Sequence, residues 1–222
     1  TFGGPASTPG NVVLRGGTLN LFTSDGNKVN GTNVWGAPGS QGLTVAIRGN
    51  TVINVDHNAT GTGNIQQIGQ LLIGNNSLTV NGASSYRLMV SGTTTLQGLG
   101  ATIRTASTAP SGSLILAGKV TGPGALNIGI PGSRNGVTIT GTANDFTGGT
   151  NLFAGGILQL SNTTGNPLGT GRVTVYPNSI LRLSGSNSLG SATLEMASSI
   201  SGISALALDA DFDPSTIPNI TT

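Results

Sequence analysis

Residues 113–185 read SLILAGKVTGPGALNIGIPGSRNGVTITGTANDFTGGTNLFAGGILQLSNTTGNPLGTGRVTVYPNSILRLSG. The stretch is a train of four- to six-residue apolar-alternating runs, broken at nearly every step by Gly, Asn, Ser or Thr. Strands this short cannot bury an apolar face alone, so they need neighbours that repeat the same geometry. The stretch therefore predicts a chain that stacks on itself.

The composition of the whole chain agrees. Charged residues make up 7% of the 222 positions and Gly accounts for 37, yet mean hydropathy is +0.13, which excludes a charge-expanded disordered polymer. The apolar residues fall in period-2 pairs, Leu19 with Leu21, Ile53 with Val55, Leu158 with Leu160, Val173 with Val175 and Leu181 with Leu183, each on one face of a strand. Helical spacing is absent because Gly or another helix breaker interrupts almost every window long enough to hold it. Without Cys there are neither disulfides nor thiolate metal sites, and stability must come from packing and ladders. The nine Lys and Arg are scattered singly and form no stripe for tracking phosphate, so nucleic acid is not an expected partner. No run approaches the roughly 18 to 20 apolar residues of a membrane helix. The opening TFGGPASTPG has neither Met nor a signal-like apolar core, so the chain is read as a processed product or, preferably, an excerpt of longer repeat-like sequence.

Self-similarity is loose but visible. Gly16-Gly17-Thr18-Leu19-Asn20-Leu21 and Gly155-Gly156-Ile157-Leu158-Gln159-Leu160 share the form G-G-x-L-x-L. Leu43-Thr44-Val45 leads to Val52-Ile53-Asn54-Val55, Leu78-Thr79-Val80 to Leu88-Met89-Val90, and Val173-Thr174-Val175 to Ile180-Leu181-Arg182-Leu183. Each is read as strand, turn, strand. Asn30-Gly31, Asn81-Gly82 and Asn135-Gly136 tolerate positive φ and suit hairpins or the corners of a coil. A sandwich or barrel would space similar strands regularly with a hairpin after each; irregular turn lengths and heavy Thr, Asn and Ser fit a parallel β-helix better. At about 20 to 25 residues per coil and ~4.8 Å of rise, the chain would make roughly ten coils and a rod of about 50 Å. Residues 1–208 are taken as one β-solenoid domain and 209–222 as a tail, linker or arm, with Pro214 and Pro218 against a central strand. The segment 25–41 is read as a loop whose Trp35 covers a core edge.

The motifs LILAGKVTGPGAL (114–126), VTITG (137–141), NDFTGGT (144–150), AGGILQL (154–160) and LGTGRVTV (168–175) follow one another in a specific order. This ordered set resembles the passenger-associated transport repeat, the autotransporter-associated β-strand repeat of bacterial surface proteins. The match covers about a third of the chain, and the flanks VVLRGGTLNLF (12–22) and IGQLLIGNNSLTVNG (68–82) look like looser versions. The resemblance implies a right-handed β-helix stalk, secreted or displayed on the bacterial surface, whose repeats serve translocation and folding rather than chemistry. It also implies that Gly148 and Gly149 form a corner, that Phe146 stacks inside, and that Leu158, Leu160, Val173 and Val175 line the core. The departure is 130–136, IPGSRNG, where the family carries a shorter Gly-rich link, so that corner is expected to bulge outward.

Catalytic signatures are missing: there is no G-x-S-x-G, no phosphate loop and no H-E-x-x-H. One His and seven acids are a thin supply for acid-base work. Asp56 and His57 would point to opposite faces of a strand and are read as surface turn residues after Val55. Parallel β-helices also carry polysaccharide-cleaving sites, but nothing in the sequence pairs Asp145 with Glu195, as glycoside hydrolysis would require. A carbohydrate-binding adhesin surface remains the stronger alternative, although Trp35, Tyr86 and Tyr176 are few for an aromatic platform. Asp209, Asp211 and Asp213 would face one way on an extended strand and offer hard oxygens to Ca²⁺. Pro214 stands where a calcium loop needs Gly and no Glu follows, so the cluster reads first as a solvated acidic tail, with a Ca²⁺ site as the alternative. The expectation is a non-enzymatic structural protein without a cofactor, a stalk or fibre segment that self-associates, head to tail, or continues into further repeats.

Overall fold

The structure, a computed structural model, describes residues 10–23, 31–35, 42–57, 64–83, 85–105, 114–129, 135–161, 165–184, 189–197, 205–208 and 220–221. Among these there is no helix, and every strand pair is parallel. The first pass of the chain runs through β1 (Asn11–Thr23) and β2 (Thr32–Val34), and the second through β3 (Thr44–His57) and β4 (Ile65–Ile68). The third holds β5 (Gln70–Ile73), β6 (Ser77–Gly82) and β7 (Arg87–Val90); the fourth β8 (Thr94–Leu96), β9 (Gly100–Thr105) and β10 (Leu114–Leu116). The fifth holds β11 (Val120–Thr121), β12 (Ala125–Ile128) and β13 (Asn135–Ile139). Later passes contribute β14 (Thr150–Leu152) with β15 (Gly156–Leu160), β16 (Val173–Val175) with β17 (Ile180–Leu183), and β18 (Leu194–Met196) with β19 (Ala205–Leu208), followed by β20 (Ile220–Thr221).

These strands stack pass on pass into a β-solenoid. One sheet is the eight-stranded ladder β2-β4-β7-β10-β13-β15-β17-β19. The other divides at β3, which pairs with β5 through Thr44–Ile47 and with β6 through Thr51–Val55. The two branches continue as β5-β8-β11 and as β6-β9-β12-β14-β16-β18-β20, so the coil has three sides. About five turns carry strand on all three sides; beyond them the first side is held by cross-coil backbone bonds such as Asp145 N–H to Val120 O (3.0 Å) and Thr170 N–H to Phe146 O (3.2 Å).

The alternation seen in the sequence is what fills the interior. Ile53, Val55, Leu158, Leu160, Val173, Val175, Leu181 and Leu183 are all buried, and in-register pairing stacks like positions into columns, for example Val137 on Leu158 and Leu158 on Leu181. Phe146 is fully buried, and Gly148 and Gly149 turn the chain immediately before β14, where the resemblance set them. Corners bring backbones of successive coils into contact. Gly122 has φ +109°, and a Cβ there would run into the Leu96 carbonyl of the coil before, so both its conformation and its space require glycine.

Three expectations change. Thr44-Val45, with Leu43 just ahead of it, and Val52-Ile53-Asn54-Val55 lie on one strand, β3, that rounds a corner near Arg48–Asn50 instead of being separated by a turn, and β1 does the same with a register shift at Leu14/Arg15. Asn135-Gly136 opens β13 and pairs in register with Gly156 and Ile157, because the neighbouring coil offers the backbone a ladder that a corner would lose. Within the segment taken as a loop, Thr32–Val34 forms β2 on β4. The residues 130–134 of the anticipated bulge lie outside the described residues, whereas Ile220–Thr221 of the tail pairs with β18.

Candidate functional site

The outer surface is built by the residues that alternate with the core. On the second side, Thr102, Asn127, Asn151, Thr174 and Glu195 follow one another in register, one per coil. Asn151 Nδ2 donates to Asn127 Oδ1 (2.8 Å), and Glu195 Oε2 accepts from Thr174 Oγ1 (3.3 Å) and Arg172 (3.0 Å). Nearer the N-terminal end, Asn81 Nδ2 donates to Asn54 Oδ1 (2.9 Å) and Asn54 Nδ2 to Asn20 Oδ1 (2.8 Å). Stacked amides can bond along the rod because one coil rise roughly equals the strand spacing, about 4.8 Å. Beside the longer column the rings of Phe153 and Tyr176 stack with centroids 5.0 Å apart, a pairing of side chains on successive coils that Tyr176 alone did not announce.

Polar groups also enter the interior. Asn144 is buried; its Oδ1 accepts from Val120 N–H (2.7 Å) while its Nδ2 donates to Gly141 O (3.0 Å) and Pro167 O (2.6 Å), tying three passes together. Asn64 is similarly buried, donating to Tyr86 Oη (2.8 Å) and accepting from Gly31 N–H (2.8 Å). Trp35 packs against the core as expected of a residue covering its edge, and its indole N–H donates to Gln66 Oε1 (2.7 Å). The signal for these roles was the recurrence of Asn at corners. Asn50, Asn75 and Asn166 also accept backbone N–H bonds from an adjoining coil, at Ser77 (2.9 Å), Leu99 (2.6 Å) and Ser191 (3.1 Å).

The candidate acids do not come together. Asp145 lies against Lys119 on the first side (2.5 Å), where hydrogen bonds from Lys119 and Thr121, with the ammonium charge, hold its carboxyl below the usual aspartate range. Glu195 is on the second side with Arg172. Asp56 and His57 are the last residues of β3, paired with Phe22 and Thr23, not turn residues, because β1 extends the ladder beyond Val55. Asp209, Asp211 and Asp213 lie outside the described residues; among the described residues no three His, Cys, Asp or Glu side chains gather as a metal site. Comparison of the chain with family models, with curated proteins and with solved structures finds no match.

Proposed function

We propose that this chain is a structural shaft: a right-handed, non-enzymatic β-solenoid segment of a bacterial extracellular or surface assembly. The observation that carries this reading is the uninterrupted eight-stranded parallel ladder, with its aliphatic columns sealed from solvent along the rod. Such a body is a spacer, quasi-one-dimensional, each coil supported by its neighbours. Right-handedness follows the strong preference of parallel crossover connections. The ordered autotransporter-like motifs supply the extracellular and bacterial parts of the proposal, and Asp145 and Glu195, held apart on different sides and each engaged by its own cation, Lys119 and Arg172, favour scaffold over catalyst.

A test is excision of one coil. Leu126 is in register with Thr150, so deletion of 126–149 joins equivalent positions. A shaft refolds, shorter by about 4.8 Å in small-angle scattering. An unfolded product would defeat the shaft reading. The second reading, a glycan-binding adhesin, is favoured by the Asn127–Glu195 column beside the Phe153–Tyr176 stack. A glycan array and a polysaccharide-hydrolysis panel decide between them. The shaft binds and cleaves nothing; binding lost in Asn151→Ala would establish the adhesin, and cleavage lost in Asp56→Ala or Glu195→Ala would establish an enzyme.

A further inference from the structure

Large apolar side chains exposed among the described residues fall in two places. Val13, Phe22 and Val34 belong to the first coil, whereas Leu99, 89% exposed, lies on the fourth with described coils on either side. Its exposure therefore comes from the shape of its own corner, which joins the first side to the second between β8 and β9. Leu99 stands between Gly98 (φ +59°) and Gly100 (φ +142°), and a Cβ at either would run into Asn75 Oδ1 (2.5 Å) or the Ala125 carbonyl oxygen (2.7 Å). Asn75 Oδ1 accepts the Leu99 N–H (2.6 Å) and the Leu99 carbonyl accepts from Ala125 N–H (3.4 Å), so both adjoining coils hold the backbone while the side chain stands in solvent. The same corner carries Gly49, Asn75 and Gly148 on other coils, so the turn itself does not require a leucine. A lone exposed leucine is ordinary, but this one borders an apolar column. Val13, Ala46 and Leu72 follow in register on the outer face of the first side, each at least partly exposed, alternating with the buried Val45, Ile47, Leu71 and Ile73. Arg15 and Arg48, both exposed, stand at the corner on the first two coils, and Arg48 Nη1 donates to Gln97 Oε1 (3.2 Å) two coils on, which lays its guanidinium along the corner toward Leu99. The described carboxylates sit elsewhere: Asp56 near the far end of β3, Asp145 on Lys119 and Glu195 on Arg172.

We propose that the first side and its corner, over the first four coils, form a contact for an anionic lipid surface. The proposal adds a ligand to the body read above as a shaft and needs only its fold. Unpaired arginines suit any polyanion, but a polysaccharide or nucleic acid offers no apolar compartment for Leu99 and Leu72. A bilayer interface offers both, headgroup charge at the surface and acyl chain a few ångströms deeper. The shape agrees, because a convex corner backed by a sheet meets a plane without needing a fitted groove. Four coils at a rise of ~4.8 Å present about 15 Å of contact along the axis. The chain separates Arg15, Arg48, Leu72 and Leu99 widely in sequence, and stacking alone brings them to one face. The contact is weak by construction. One inserted leucine with two arginines, each worth about fivefold in affinity, falls below a single myristoyl chain, so half-saturation is expected at roughly a millimolar of accessible lipid. Such a contact lays the rod on a surface reversibly and does not anchor it.

Co-sedimentation of the full chain with vesicles of phosphatidylglycerol, against vesicles of phosphatidylcholine, tests the proposal. Binding to the anionic vesicles should be at least about tenfold tighter and should weaken as salt rises. Leu99→Ser should cost about tenfold and Arg48→Gln about fivefold, with wild-type thermal midpoints because both side chains are exposed. The chain contains no Cys, so Leu99→Cys takes an environment-sensitive fluorophore at one position. Its emission should shift to the blue on phosphatidylglycerol vesicles, while the same label on Ser161→Cys, exposed at the end of the third side, should stay in water. No binding at several millimolar lipid, equal binding to phosphatidylcholine, or a Leu99 label that does not shift would each overturn the proposal. Affinity unchanged in Leu99→Ser would do the same, since it would leave only attraction to a polyanion. Inorganic phosphate should displace the chain no better than chloride at equal ionic strength; specific displacement would mark a free-phosphate site and also overturn the lipid surface. Excision of 126–149 removes nothing from the first four coils, so this proposal and the shaft reading fail separately.

Discussion

Replacing Asn144 by Ala probes how this solenoid holds its coils together without disulfides. The amide makes three hydrogen bonds to the backbone of Val120, Gly141 and Pro167 from a buried position. Three such bonds are worth about 3 kcal/mol net. The methyl group left behind also strands the Val120 N–H and the Pro167 carbonyl in the dry interior, where an unsatisfied group costs roughly 1 to 3 kcal/mol. Partial rehydration offsets some of that cost, so the expected loss is about 3 to 5 kcal/mol, at the upper end of single substitutions. Urea unfolding monitored by circular dichroism measures it as a midpoint shift at constant slope. Asn151→Ala is the control, since it deletes one partly buried amide contact on the outer face and should cost no more than about 1 kcal/mol. Asn144→Asp separates hydrogen bonding from volume. Its carboxylate still accepts from Val120 but faces two carbonyl oxygens, so its folded pKa is raised. Its deficit is then greatest above that pKa and shrinks as pH falls and the group regains a donor. An Asn144→Ala midpoint indistinguishable from that of Asn151→Ala would refute the reasoning.

Phe146→Ala empties a fully buried aromatic site and should cost about 3 to 5 kcal/mol in the same urea assay, with a loss below ~1 kcal/mol showing that the first side collapses freely. Gly122→Ala meets both a positive φ and the Leu96 carbonyl, so a destabilisation of at least about 2 kcal/mol is expected by thermal melting, and a neutral effect would mean the corner relaxes. The Asp145 carboxyl should titrate below the ordinary aspartate range by NMR. Because its folded pKa is depressed, its stabilising contribution is present above the unfolded pKa and is lost as pH falls through the folded value; Lys119→Gln should raise the titration toward the ordinary range, with the Thr121 hydrogen bond holding part of the depression. If Asp209, Asp211 and Asp213 form a solvated tail, chelation leaves the thermal midpoint unchanged, whereas a drop reversed by Ca²⁺ would assign them a structural ion.

Alternation along Ile53-Val55, Leu158-Leu160, Val173-Val175 and Leu181-Leu183, with glycine corners between, was enough to predict an all-β chain stacked on itself, because the period of a strand and the φ demands of a tight corner are local properties. Asn144, by contrast, meets Val120 and Pro167 at separations of 24 and 23 residues, and nothing in NDFTGGT states how far away its partners lie. The two G-G-x-L-x-L motifs make the same point. Gly16-Gly17 feeds the second side through β1, whereas Gly155-Gly156 feeds the third through β15. The motif encodes a corner followed by a strand; which side that strand joins depends on the length of every coil before it. Side, register and partner were therefore decided only when complete turns closed on one another, since in-register burial of the aliphatic columns couples residues as far apart as Val173 with Leu194 and Leu21 with Val55.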